Sequence, residues 1–182
     1  MNDSETRIVI AGFGGQGVVL TGNVIARAAM IDGRNVTLMV SYGAEMRGGT
    51  ANATVVLSDG PIASPYVETP DVAIVLNRPS LDRFEPVMAP NGHVIVNRSL
   101  IDRDVERDDL TVTPVEATNI AHELGNVRAT NMVAMGAFAG ATKLIGVEAL
   151  AEAVRLAFQE KSAKLVELNT RALQAGLDAV TS

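Results

Sequence analysis

The chain has 182 residues, of which 47% are hydrophobic, 20% are charged and only 3% are aromatic, and its formal net charge is −6. These values are typical of one globular domain, and they predict a single domain over residues 1–182. Acidic residues outnumber basic ones by 21 to 15, and rings that could stack on bases are scarce, which argues against nucleic-acid binding.

The lack of cysteine excludes both a disulfide and a thiolate-ligated iron–sulfur cluster in this chain. The histidines, His93 and His122, lack the spacing of a zinc site, so we expect no bound metal. The polar, acidic start of the chain does not resemble a signal peptide, and no apolar run reaches the roughly 20 residues that a membrane-spanning helix needs. Together these features favour a cytoplasmic protein without membrane contact.

Apolar periodicity predicts strands that alternate with helices along the chain. The predicted strands cover residues 7–12, 35–40, 51–57, 71–76, 93–96 and 110–115. The predicted helices cover residues 15–31, 79–84, 116–124, 131–145, 147–158 and 162–177. This order predicts an α/β fold with a mostly parallel sheet and helices on both faces. Small residues such as Gly22, Gly136 and Gly140 would let their helices pack closely.

A glycine-rich loop joins the first strand to the first helix: Gly12-Phe13-Gly14-Gly15-Gln16-Gly17. In this strand–loop–helix context the G-x-G-x-x-G spacing lets the backbone turn sharply and leaves room for a ligand. The free N–H groups at the helix start suit a phosphate or another anion. The alternative is a tight turn that binds nothing.

Two common nucleotide sites fit the loop poorly. A nicotinamide dinucleotide site has an acidic residue at the end of the second strand, where this chain has Ser41 and Tyr42, and the nearest acid is Glu45. The phosphate loop of NTPases needs Lys and Ser or Thr after its last glycine, where this chain has valines.

Further candidate ligand contacts follow the second and fourth predicted strands. Arg47 could bind a phosphate or carboxylate with two hydrogen bonds, or pair with Glu45, or contact a partner chain. Asn77 could contact a ligand, although capping of the next helix is favoured. Because ligands bind at the carboxyl ends of parallel strands, residues 12–17, 42–49 and 77–78 should meet there. Neither histidine has a catalytic partner by spacing, so the chain is predicted to bind a ligand without catalysing a reaction alone.

These motifs resemble the gamma subunit of 2-oxoacid:ferredoxin (acceptor) oxidoreductases. The resemblance is carried in chain order by Ile10-Ala11-Gly12-Phe13-Gly14-Gly15-Gln16-Gly17-Val18, Ser41-Tyr42-Gly43-Ala44-Glu45-Met46-Arg47-Gly48-Gly49-Thr50-Ala51-Asn52, Leu76-Asn77-Arg78-Pro79, Asn126-Val127-Arg128-Ala129-Thr130-Asn131-Met132 and Glu167-Leu168-Asn169. It covers nearly the whole chain, and its first two motifs are specific in combination.

The resemblance implies a Rossmann-like gamma domain associated with coenzyme A. The holoenzyme would decarboxylate a 2-oxoacid oxidatively, giving an acyl-CoA, CO2 and reduced ferredoxin. Thiamine diphosphate and iron–sulfur clusters would sit on partner subunits, the thiamine-binding and ferredoxin-like chains. The isolated subunit is then expected to be inactive and to self-associate through an exposed apolar face.

The second motif resembles the 2-oxoglutarate type most, because pyruvate and branched-chain types often have proline where Ala44 stands. The candidate cofactor-binding residues are Gly12, Phe13, Gly14, Gly15, Gln16, Gly17, Tyr42, Arg47, Gly48, Gly49 and Asn77, and no catalytic residue is assigned. The alternatives are a structural docking subunit of the same complex and a reductase domain that binds NAD(P) or a flavin.

Overall fold

The computed structural model describes residues 5–42 and 50–181, with Tyr42 described by its backbone. The strands are β1 (Thr6–Phe13), β2 (Asn35–Tyr42), β3 (Thr50–Ser58), β4 (Val72–Val75), β5 (His93–Asn97) and β6 (Thr111–Val115). The helices are α1 (Val18–Ile31), α2 (Arg78–Phe84), α3 (Ala117–Glu123), α4 (Thr130–Thr142), α5 (Val147–Phe158) and α6 (Ala163–Thr181). Short 3-10 turns lie at Glu85–Val87 and Val127–Ala129. In these residues no helix is both long and apolar enough to cross a bilayer.

The described strands form one sheet in the order β2-β3-β1-β4-β5-β6. The pairs β1–β4, β4–β5 and β5–β6 are parallel, whereas β3 is antiparallel to both of its neighbours, β1 and β2. The prediction of an α/β fold with a mostly parallel sheet is therefore confirmed. Since only β3 is reversed, the carboxyl ends of the other strands lie along one edge, and β3 begins at that edge.

Alternate residues of the strands face two separate apolar layers. On one face, Ile8 and Ile10 of β1 pack with buried residues of α1, α4 and α5. On the other face, Val9 packs with Leu81, Met88 and other residues of the α2 side. Because both faces are covered, the β-branched run of β1 is fully buried, as its sequence predicted.

Three predicted helix boundaries are wrong by a few residues: the last helix, expected to end at residue 177, continues to Thr181, and the other two differ for a backbone reason. The first helix was expected from residue 15 but begins at Val18, because Gly17 has a left-handed conformation with φ 78° and forms its N-cap. The fourth helix was expected to reach residue 145 but ends at Thr142, because Lys143 is also left-handed, with φ 53°. A left-handed residue cannot continue a right-handed helix.

Glycines bring two pairs of elements into close contact. A Cβ on Gly22 of α1 would lie 2.9 Å from Cβ of Ala53 in β3, so α1 packs directly on the sheet. A Cβ on Gly136 of α4 would overlap the carbonyl oxygen of Leu173 in α6, and one on Gly176 of α6 would overlap that of Val133 in α4. Helices α4 and α6 therefore touch through their backbones.

A buried carboxylate fastens the segment after β5 to the second face of the sheet. Glu85 is 5% exposed, and its Oε2 lies 2.7 Å from Nη1 of Arg103. Its Oε1 accepts hydrogen bonds from the backbone N–H groups of Glu106 and Arg107. Burial alone would raise the pKa of the Glu85 carboxyl, but the hydrogen bonds from Arg107, Arg103 and Glu106 outweigh it and hold the pKa below the usual 4.5.

We expect Glu85→Gln to destabilise the chain by about 2–3 kcal/mol, because it replaces the carboxylate oxygen that pairs with Arg103 by an NH2 group, which cannot accept from the guanidinium. Urea denaturation at neutral pH measures this change. Since the folded pKa is lowered, the carboxylate stabilises the fold above pH 4.5 and loses that effect as the pH falls through the folded pKa. The variant should lack this pH-dependent component. Glu152→Gln, which breaks the exposed pair with Arg155, is the control and should change stability less.

Gly136→Ala should destabilise the chain by about 3 kcal/mol, because its Cβ meets the backbone of α6, which cannot move aside. Gly140→Ala in the same helix is the matched control, since its Cβ would meet side-chain atoms and no backbone, Cγ2 of Val180 at 2.7 Å and Cδ1 of Leu177 at 3.0 Å. Thermal unfolding of the two variants measures the difference. Equal melting temperatures would show that α4 and α6 are not held at backbone distance.

Candidate functional site

The glycine loop begins at the carboxyl end of β1 as a tight turn. The Gln16 N–H donates to the Phe13 carbonyl at 3.1 Å, and Gly15 is left-handed with φ 98°. Gly14 and Gly15 are exposed, and a Cβ on Gly15 would have no atom of the described residues within 4 Å. With respect to these residues the top of the loop is open rather than packed.

The Gln16 side chain folds back and fills the inner side of the loop. Its Oε1 accepts hydrogen bonds from the Phe13 N–H at 2.7 Å and from Nδ2 of Asn77 at 2.9 Å. A Cβ on Gly12 would lie 2.7 Å from the same oxygen, so a larger residue at this position would displace the Gln16 side chain. The Phe13 N–H is thus hydrogen-bonded within the protein and does not face the open side of the loop.

Asn77 has the capping role that its sequence position favoured. Its Oδ1 accepts from the Ser80 N–H at 3.0 Å as the N-cap of α2, while its Nδ2 binds Gln16. The side chain is 3% exposed, so it ties β4 to the loop from below. Its neighbour Arg78 forms ion pairs with Asp82 and Asp102 on the surface.

At the helix side of the loop, another buried amide holds Gly17. The Gly17 carbonyl accepts from the Thr21 N–H at 2.9 Å, from Oγ1 of Thr21 at 3.0 Å and from Nδ2 of Asn131 at 3.3 Å. Sequence reasoning did not single out Asn131 or Thr21 as site residues. The available signal was a polar side chain at the start of an otherwise small and apolar helix.

The N–H groups left at this edge form a donor surface. Within residues 5–42 and 50–181, those of Gly14, Gly15, Val18 and Val19 have no acceptor. The first turn of α1 also contains no acidic side chain that would neutralise the positive end of the helix dipole. This arrangement suits an anionic group with several oxygens.

The second glycine-rich loop starts and ends beside the first. Tyr42, the last residue of β2, pairs with Ala51, and Thr50 pairs with Phe13 at the end of β1. Residues 43–49, with the candidates Arg47, Gly48 and Gly49, lie outside the described residues. The structure thus brings the first loop, Asn77 and both ends of the second loop to one edge.

The histidines contribute nothing to this edge. Nε2 of His93 lies 2.7 Å from Oγ1 of Thr113, and burial lowers the pKa of His93. His122 is exposed on α3. No group of three or more His, Asp or Glu side chains is placed to bind a metal ion in the described ranges.

Comparison with known proteins gives the same family by several routes. Residues 7–179 match the sequence profile of the pyruvate ferredoxin/flavodoxin oxidoreductase family. Ketoisovalerate oxidoreductase subunit VorA of Methanothermobacter marburgensis is 38% identical over 174 residues, which make up 96% of this chain and 36% of VorA. The chain thus spans about a third of the length of this relative.

Solved structures have the same fold. The gamma subunit of keto/oxoacid ferredoxin oxidoreductase from Geobacter sulfurreducens is 29% identical with a TM-score of 0.83, over 96% of this chain and 98% of that one. The 2-oxoglutarate:ferredoxin oxidoreductase from Magnetococcus marinus, solved with 2-oxoglutarate, coenzyme A and succinyl-CoA bound, has a TM-score of 0.90. It is 24% identical over 98% of this chain and 31% of its own, so it supports the fold alone.

The two roles of Asn77 can be separated by substitution. Asn77→Asp keeps an oxygen that caps α2 but loses the donor to Gln16, whereas Asn77→Ala loses both. We expect Asn77→Asp to speed hydrogen exchange at the Phe13 amide while leaving the amides of α2 protected. Asn77→Ala should speed exchange at both places and cost about 1–2 kcal/mol of stability. Unchanged exchange at Phe13 in both variants would contradict the link from Asn77 through Gln16.

Proposed function

The chain belongs to the pyruvate ferredoxin/flavodoxin oxidoreductase family, and we propose that it is the gamma subunit of a 2-oxoacid:ferredoxin oxidoreductase that holds coenzyme A. The complete enzyme decarboxylates a 2-oxoacid oxidatively and transfers the acyl group to coenzyme A. This chain supplies a binding surface, and the redox chemistry belongs to its partners. Alone, the subunit is inactive.

The observation that supports coenzyme A is the donor surface at the start of α1. Phosphate groups carry several acceptor oxygens and negative charge, which matches the exposed N–H groups of Gly14 and Gly15 and the unpaired N–H of the buried Val18 behind them. Gly12, Phe13, Gln16, Gly17 and Asn77 shape the loop from inside. Tyr42, Arg47, Gly48 and Gly49 complete our proposed site from the second loop.

The composition of the chain supports the assignment of the redox cofactors to partner subunits. Iron–sulfur clusters need cysteine ligands, and the chain has none, so we assign the clusters to a ferredoxin-like partner subunit. We assign thiamine diphosphate to another partner, and ferredoxin reaches the enzyme through the complex, in the cytoplasm. Exposed apolar side chains such as Met30 (67% exposed) would favour self-association of the isolated subunit.

We propose 2-oxoglutarate as the oxoacid. This choice rests on Ala44 in the second motif. The name of the VorA relative points to a branched-chain oxoacid instead. Comparing turnover of 2-oxoglutarate, pyruvate and 2-oxoisovalerate by the purified complex decides between them.

The role of the loop is tested by Gly15→Asp, with Gly33→Asp as the matched control. Both glycines are left-handed, with φ 98° and 78°, and neither would place a Cβ within 4 Å of another atom. The two substitutions therefore cause similar backbone strain and add the same charge, but only one lies at the site. Calorimetry on the assembled complex should show at least a roughly tenfold loss of coenzyme A affinity for Gly15→Asp alone.

Two other outcomes would favour other functions. If Gly15→Asp blocks assembly with the partner subunits while any complex that forms binds coenzyme A normally, the loop is a docking surface. If the melting temperature rises with NAD(P) or a flavin but not with coenzyme A, the chain is a nucleotide-dependent reductase domain. Either result would reject the proposed function.

A further inference from the structure

A buried amide next to the glycine loop has no part in the function proposed above. Asn131 lies in the first turn of α4 and is 2% exposed. Its Nδ2 donates to the Gly17 carbonyl at 3.3 Å and to Oγ1 of Thr21 at 3.1 Å. An amide is costly in an apolar core unless it is hydrogen-bonded, and both of these acceptors belong to the start of α1.

The Gly17 carbonyl controls the direction of the first N–H of α1. It accepts from Asn131 and twice from Thr21, through the backbone N–H and the hydroxyl. A trans peptide is planar, so the Val18 N–H points away from the Gly17 oxygen. Fixing this carbonyl toward the helix therefore turns the N–H of Val18, a residue that is 2% exposed, toward the glycine loop.

Asn131 also restricts Gly17 itself. A Cβ on Gly17 would overlap the Asn131 amide, and its φ of 78° is a conformation that other residues rarely adopt. The amide is carried by α4, which touches α6 through the backbones at Gly136 and Gly176. The position of the loop is thus set by its contact with the closely packed helices α4 and α6, and not by its own glycines alone.

We propose that Asn131 is a positioning residue, which orients the Gly17–Val18 peptide so that its N–H meets the bound anion. Thr21 completes the network through its hydroxyl. This inference rests on the proposed function, since the anion is a phosphate of coenzyme A. Asn131 does not touch the ligand and acts through Gly17.

The test is Asn131→Asp in the assembled complex, which keeps the shape of the side chain but replaces its donor by a second acceptor. At pH 8 the affinity for coenzyme A, measured by calorimetry, should fall roughly tenfold. The KM for the 2-oxoacid should not change. Burial raises the pKa of the introduced carboxyl, and its protonated form can donate to the Gly17 carbonyl again. Affinity should therefore recover toward the wild-type value at pH 6, whereas that of the wild type should not rise.

Asn169→Asp is the matched control. Asn169 is a helical, 6% exposed asparagine in α6, and its Nδ2 donates to the Leu165 carbonyl at 2.8 Å. The Asn169→Asp substitution should lower the melting temperature and leave coenzyme A affinity unchanged at both pH values. Thr21→Val, which removes a donor to Gly17 and an acceptor for Asn131, gives a second measurement if Asn131→Asp does not assemble. It should also weaken coenzyme A binding several-fold.

The inference is overturned if Asn131→Asp and Thr21→Val lower the melting temperature as Asn169→Asp does but bind coenzyme A like the wild type. Asn131 would then be a core amide only. This result differs from failure of the proposed function, because Gly15→Asp would still weaken coenzyme A binding. If Gly15→Asp also has no effect, the coenzyme A site and the positioning role fail together.

Discussion

The candidate site depends on two buried amides, those of Asn77 and Asn131, that hold a glycine loop from opposite sides. On the strand side, Asn77 donates to Oε1 of Gln16, which also accepts from the Phe13 N–H. On the helix side, Asn131 donates to the Gly17 carbonyl. Glycines alone would leave the loop many conformations, since each loses more freedom on ordering than any other residue. The amides offset this cost with hydrogen bonds in a buried, low-dielectric setting, where such bonds are strong and a missing partner is expensive.

The rest of the fold provides fixed points for these amides. Asn77 is held at the end of β4 by capping α2, and Asn131 is held at the start of α4. Helix α4 in turn packs against α6 at backbone distance. Close-packed interiors transmit a displacement rather than absorb it. Changes in the α4–α6 contact are therefore expected to reach the loop, even though none of those residues lies at the edge of the sheet.

The same construction suits anion binding through backbone groups. The open side of the loop offers backbone donors, and Arg78, next to Asn77, is tied in a surface ion pair with Asp102. Backbone donors of this kind can hold an anion. The chain belongs to an oxidoreductase family, and one of its relatives is about three times as long. Both facts agree with a role as one subunit of an enzyme complex.

The sequence by itself determined the α/β class, the position of the glycine loop and the capping role of Asn77. These depend on local periodicity and turn chemistry, which neighbouring residues express directly. It also predicted the close helix packing through Gly136, because a run of small residues has few other uses in a buried helix.

Only the tertiary structure decided the reversal of β3, the inward fold of Gln16 and the contact of Asn131 with Gly17, residues 114 positions apart in the chain. Strand direction depends on which strands pair, and pairing energy is gained between segments far apart in sequence. A side-chain amide likewise has many possible partners, and its choice is made by the backbone groups that packing leaves within reach. The local sequence motif therefore determines where the loop lies in the chain. Long-range packing determines which of its N–H groups are hydrogen-bonded inside the protein.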